Sequence, residues 1–254
     1  MSGEVTAEHH GPVLVITLNR PAVRNAINLA AAQAISDALD QLDSRRDLAA
    51  GVLTGAGGTF CAGMDLKAFL AGERPSVRPR GFAGIVEQPP AKPLIAAVEG
   101  AAVAGGFEIV LSCDLVIAAE NARFGLPEVR RGLVAAGGGL LRLPRRVSYY
   151  RALEWALTGD LISAEDAHAA GLINKLVPPG EALTTAIDLA QRIARNGPLA
   201  VAATKRIVVE SRDWPASTEF ARQREISEPV RATDDAHEGA RAFVEKRVPQ
   251  WRGQ

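Results

Sequence analysis

The run PVLVITL (12–18) is apolar and rich in β-branched residues, and it predicts a buried strand. GVLTG (51–55), PLIAAVEG (93–100) and DLVIAAE (114–120) repeat the signal, each bounded by Gly, Pro or Asp. Between the first two, Ile35, Leu39 and Leu42 recur at helical spacing. With Asn28 as the cap they predict a helix running to about residue 44. GLINKLV, ending at Val177, reads as a last short strand. From about residue 180 the period is helical. EALTTAIDLAQRIARN and PLAVAATKRIVVES carry apolar residues three and four apart, and the tail 216–247 is charged and amphipathic. Strands alternating with helices, then helices alone, predict an α/β core over 1–195 and a helical part over 196–254. The Pro- and Gly-rich stretch 71–90 fits a mobile loop or a solvated connector.

Composition narrows the classes. Of 254 residues, 47% are hydrophobic and 23% charged, which suits a globular protein with a sizeable core. Twenty-nine basic and 29 acidic residues cancel, so nothing suggests a nucleic-acid footprint. Cys61 and Cys113 form no CxxC pair and read as buried free thiols of a reducing compartment. No apolar run reaches the roughly 18 residues of a membrane span, and no secretory leader pattern opens the chain. A cytoplasmic protein without membrane or nucleic-acid partners is expected. The histidines at 9, 10, 168 and 237 match no metal spacing.

The candidate chemistry lies in VAGGFE (103–108) and FGLPE (124–128). A helix starting near Gly105 would present backbone N–H groups without internal partners, and glycine lets a substrate come close to them. FCAGMDL (60–66) has the same small-residue design and would expose the amide of Met64. Two such amides can serve as an oxyanion hole. Glu108 and Glu128 both sit in apolar company. Burial and mutual repulsion would raise their proton affinity and let them divide acid and base roles.

The segment 98–143, VEGAAVAGGFEIVLSCDLVIAAENARFGLPEVRRGLVAAGGGLLRL, resembles the signature of the crotonase, or enoyl-CoA hydratase/isomerase, family. LNRPAVRNAIN (18–28), GTFCAGMDL (58–66), ALTGDLISAEDAHAAGLINKLVP (156–178) and AFVEKR (242–247) extend the resemblance over nearly the whole chain. It implies a crotonase-like spiral of ββα units with a helical C-terminal oligomerisation region. It implies an acyl-CoA thioester substrate, with coenzyme A as part of the substrate and no separate cofactor or metal. Met64 and Gly105 would hold the thioester oxygen, and Glu108 and Glu128 the water that adds to the double bond. Arg24, Ala62, Asp65 and Leu66 fall where the family meets CoA. Trp251 and Arg252 resemble an aromatic-basic pair that reaches a neighbour's CoA in a trimer or dimer of trimers. Phe82 and Ile85, in the stretch after the first oxyanion loop, are the expected acyl-pocket contributors. One departure stands out: Ala136 occupies a position where the family's hydratases carry a glycine whose amide helps place the water. An enoyl-CoA hydratase is expected, with an isomerase or a non-catalytic acyl-CoA binder on the same fold as alternatives.

Overall fold

The computed structural model describes residues 3–254. The chain opens with β1 (Val5–His10), β2 (Val13–Leu18) and α1 (Leu29–Ser44), whose start Asn28 caps by accepting from the Ala31 amide. Then come β3 (Ala50–Gly55), the short α2 (Leu66–Leu70) and a small hairpin, β4 (Ser76–Val77) with β5 (Gly81–Phe82). The centre of the chain runs β6 (Leu94–Val98), β7 (Ala101–Val103), α3 (Gly105–Ser112), β8 (Leu115–Ala119) and β9 (Arg123–Gly125). It is followed by α4 (Gly139–Arg142), α5 (Tyr149–Thr158), β10 (Ile162–Ser163), α6 (Ala164–Ala169) and β11 (Lys175–Val177). The helices α7 (Ala182–Ala194), α8 (Pro198–Glu210), α9 (Glu219–Arg231) and α10 (Asp234–Glu245) end the chain.

Two sheets result. The larger has the order β1-β2-β3-β6-β8-β11, antiparallel only between β1 and β2. The smaller has the order β10-β9-β7. Each turn of the chain gives one strand to each sheet: β6 then β7, β8 then β9. Gly100 makes the corner between β6 and β7 in a left-handed conformation (φ +55°), where a side chain would collide with the Gly58 carbonyl. After β3 the matching place beside β7 is taken by Cys61, which bridges to Ala102. This is a spiral of ββα turns.

Period-two burial sets the layers. In β2, Val13 and Val15 face one side of the large sheet and Leu14, Ile16 and Leu18 the other. The first side is covered by α7, whose Ala182, Ala186 and Ala190 recur every fourth residue. The other side forms the main core with α1 and α3. Each large apolar side chain buried there contributes about 1.5–3 kcal/mol.

The stretch 71–90 corrects the expectation of a mobile or solvated loop. Residues 71–74 are exposed, but Ala83 to Val86 are buried. Arg80, 5% exposed, pairs with Asp40 on α1 at 2.7 Å and donates to the Gln88 carbonyl at 2.6 Å. A buried cation with two good partners pins the segment, and composition alone cannot report that.

The C-terminal helices cover less. In the single chain α8 and α9 bury no residue fully, and Phe220, Phe243, Val244 and Val248 are exposed. Lys205 ties α8 to the core by donating to the carbonyls of Pro90 and Lys92 and to Asp114. Among the described residues no helix is long and apolar enough to cross a membrane.

Candidate active site

The loop after β3 is held almost entirely by hydrogen bonds to its own backbone. Asn25, fully buried, donates to the carbonyls of Ala56 and Thr59 at 2.9 and 2.6 Å. The Cys61 amide donates to Ala101 O at 2.9 Å, and Cys61 O accepts from Val103 N at 3.0 Å. The Cys61 thiol sulfur takes the Gly63 N–H at 3.3 Å. Ile27 N donates to Gly63 O, and Asp65 N to Ile27 O, at 2.8 and 2.9 Å. Met64, between those two, has no backbone acceptor for its N–H among the described residues. Asp65 closes the loop: its Oδ1 caps α2 through the Lys67 and Ala68 amides, and its Oδ2 accepts from Arg20 at 3.0 Å. Burial works to raise the Asp65 carboxyl, but those amides and Arg20 outweigh it and hold it below its ordinary value.

Gly105 is the first residue of α3, so its amide is one of the helix's orphan donors. Ala104 before it has φ +52° and ψ −130°, a conformation that costs an alanine about 1–3 kcal/mol. The bond from Ala104 N to Gly125 O, at 2.9 Å, holds it there. The two loops meet. A Cβ placed on Gly63 would lie 3.1 Å from Gly105 N, and one on Gly106 would run into Cys61 O. The loop that carries Met64 and the helix start that carries Gly105 thus lie against each other.

One turn into α3, Glu108 is 4% exposed. Its Oε1 accepts from Gly139 N at 2.9 Å. Desolvation pushes its pKa up to about 7; Glu128 adds to the rise, and the amides of Gly139 and Gly137 with Arg142 oppose it. Glu128 stands on a 3-10 turn, Pro127–Arg131, half-buried, with its own proton affinity raised by burial. Its Oε2 is buried without a hydrogen-bond partner among the described residues. The room Glu108 needs is at Gly137 and Gly139, where an added Cβ would come within 2.5 and 3.0 Å of its side chain. Both positions keep glycine, and Ala136 is exposed.

Beside Glu128 lies an apolar cavity of about 380 Å³. Leu126, Val129, Ala135, Leu140 and Leu143 line it from the central turn, and Ala152, Leu153, Ala156 and Leu157 from α5. Neither Phe82 nor Ile85 lines it. Ile85 is fully buried in the main core. The Phe82 ring lies against Gly105, where a Cβ would be 2.6 Å from it.

The residues expected at CoA scatter more. Arg24 is exposed, and its carbonyl accepts from Ala62 N at 3.0 Å, so these two adjoin the oxyanion loop. Leu66 is exposed at the start of α2, and both Asp65 oxygens are engaged internally. Trp251 packs on Gly197 and Gly239 and donates to Arg195 O at 2.8 Å. The Arg252 amide donates to the buried Asp235. These last two contacts are made within the chain. Sequence reasoning missed Arg20, Asn25, Gly137, Gly139 and Arg142. The surplus of apolar residues in YYRALEWALT was the one signal for the α5 wall.

The enoyl-CoA hydratase/isomerase family profile matches residues 8–254. Enoyl-CoA hydratase EchA19 of Mycobacterium tuberculosis is 42% identical over 258 residues, covering 98% of this chain and 96% of the relative. Mevalonyl-coenzyme A hydratase sidH of Aspergillus fumigatus is 41% identical over 250 residues, with coverage of 94% and 91%. The crystal structure of enoyl-CoA hydratase EchA1 from Mycobacterium marinum matches with a TM-score of 0.98 at 57% identity, over 100% of both chains.

Proposed function

Because the chain belongs to the enoyl-CoA hydratase/isomerase family, we propose that it is an enoyl-CoA hydratase, a hydro-lyase adding water to a trans-2-enoyl-CoA to give a 3-hydroxyacyl-CoA. One observation carries the reading. Glu108, one helical turn beyond the Gly105 amide, and Glu128 both carry a raised proton affinity, and among the described residues neither the Met64 nor the Gly105 amide has a backbone acceptor. Amides of Met64 and Gly105 donate to the thioester oxygen and stabilise the enolate charge as it develops. Glu108 takes a proton from water while the oxygen bonds to Cβ. Glu128 gives its proton to Cα, and the two carboxyls exchange the proton back through the next water. A base poised near neutrality is what this step needs. Burial raises the proton affinity of Glu128 as well, the direction that suits an acid partner. The acyl tail enters the cavity beside Glu128, and CoA lies along Arg24, Ala62 and Leu66. No cofactor takes part beyond the CoA of the substrate.

Isomerisation would need one carboxylate and simple acyl-CoA binding none, so the two perturbed glutamates favour hydration. The test is crotonyl-CoA. Loss of the enoyl absorbance with formation of the 3-hydroxy thioester is expected. An enzyme that shifts a 3-enoyl double bond but leaves crotonyl-CoA unhydrated would be an isomerase instead.

The exposed apolar residues of α9 and α10 favour a closed homo-oligomer, a trimer or a dimer of trimers. Sedimentation at the mass of a 26.8 kDa monomer would remove that part of the reading.

A further inference from the structure

Gly137, Gly138 and Gly139 form a thin wall with a charge on each side. A Cβ on Gly137 or Gly139 would press on the Glu108 carboxyl group or its stem; one on Gly138 would collide with Nη1 of Arg142. Arg142 ends α4 and is half-buried, so its guanidinium is held rather than solvated. From there its Nη2 donates to the carbonyl of Val86. Val86 follows by four residues Phe82, whose ring lies against the Cα side of Gly105. No step of the hydration chemistry above uses this arginine.

We infer that Arg142 is a positioning residue joining the two halves of the site: across the glycine wall it holds the Glu108 carboxylate, and through Val86 it holds the segment that seats Phe82 on Gly105. Its charge favours the ionised form of Glu108, against burial and against Glu128. The groups facing Glu108 are Glu128, Arg142 and the amides of Gly137 and Gly139; those facing Arg142 are Glu108, the Cys113 thiol and Arg145. Arg142 is the cation in the first set, so its removal has a predictable sign. What this does for turnover rests on the hydratase reading; the hold on Glu108 does not.

The experiment therefore reads the carboxyl group and the rate separately. Arg142→Gln is expected to move the infrared titration midpoint of the Glu108 carboxyl upward by roughly half a unit to one unit. The Glu108 band is identified as the one absent from Glu108→Gln. With crotonyl-CoA, the acid limb of kcat/KM moves the same way, and kcat falls about tenfold or more while KM changes little. Arg142→Lys keeps the charge on a side chain that cannot fork to Val86. It restores the limb but not kcat, and it carries the test should Arg142→Gln fail to fold. A midpoint left unmoved by Arg142→Gln, or moved as far by Arg142→Lys, overturns the inference. A wild-type chain that hydrates nothing, with a midpoint that still moves, would sink the hydratase reading and leave Arg142's hold on Glu108 standing.

Discussion

The two halves of the site are built from different materials. The oxyanion half is backbone. In the proposed mechanism Met64 and Gly105 contribute amides, and their loops are held by main-chain bonds from Ile27, Cys61, Ala101 and Gly125. The carboxylate half is side chain. In the proposed mechanism Glu108 and Glu128 act through carboxyls whose proton affinity burial raises, Glu108's further raised by Glu128. The first half should therefore depend on backbone room and on the few side chains that brace it, and be indifferent to pH. The second should tolerate neither a change of functional group nor a large change of pH.

The sharpest separation comes from removing the proton carriers. Glu108→Gln and Glu128→Gln keep the size of the side chain but cannot cycle a proton. Each is expected to lower kcat by about a thousandfold or more, with cooperative unfolding retained. Near wild-type turnover in either variant would break the contrast at its root. The complementary change is Gly63→Ala. Its φ of +94° strains any side chain, and the new Cβ would crowd Gly105 N at 3.1 Å. A loss of about a hundredfold is expected, equal at every pH, because Glu108 is untouched. A displaced pH limb in Gly63→Ala would mean that the halves are not separable.

These halves were unequally legible in the sequence. Amide donors announce themselves through glycine and small residues, so FCAGMDL and VAGGFE could be read as loops that expose backbone. The long strands were visible through their apolar runs. The small sheet was not: β7 and β9 are three residues each, too short for a period to register. Burial, which raises the proton affinity of Glu108, could be expected from its apolar company, but the Gly139 amide and the Arg142 charge that temper the rise lie more than thirty residues away, and no local pattern encodes that meeting. The apolar cavity wall on α5 went unread for the same reason. Apolar residues state that they will be covered, not by what.

A subtler effect follows from the burial of Glu108. Its proton affinity is raised in the folded state, from an ordinary value of 4.5 to about 7. The folded chain therefore holds a proton that the unfolded chain has lost. The stability from that proton is full below about 4.5 and disappears as pH rises through about 7. Glu108→Gln has no such dependence. Relative to wild type it should gain up to about 3 kcal/mol between pH 4.5 and pH 8, measured by urea unfolding at both ends. A constant difference across that range would mean that the carboxyl is not held as a buried acid.

The smallest expected effects concern the acyl tail, and they test whether the cavity belongs to the carboxylate half alone. Ala156 lines the cavity from α5 and is far in sequence from both amide loops. Ala156→Phe would fill part of the 380 Å³ beside Glu128 without reaching the oxyanion half. Lost room for a few methylenes is worth roughly 1–3 kcal/mol. So kcat/KM should fall about tenfold or more for long enoyl-CoAs while crotonyl-CoA is little affected. Phe82→Ala is the control with the opposite signature. Its ring lies on Gly105 and does not line the cavity. Loss of the ring loosens the amide that every thioester uses, whatever its tail. All chain lengths should then lose the same factor, about threefold to tenfold, a fraction of the cost of losing one oxyanion donor outright. If instead Phe82→Ala reordered the chain-length preference and Ala156→Phe did not, the acyl tail would run toward the 71–90 segment. The cavity beside Glu128 would then have to serve something other than the substrate.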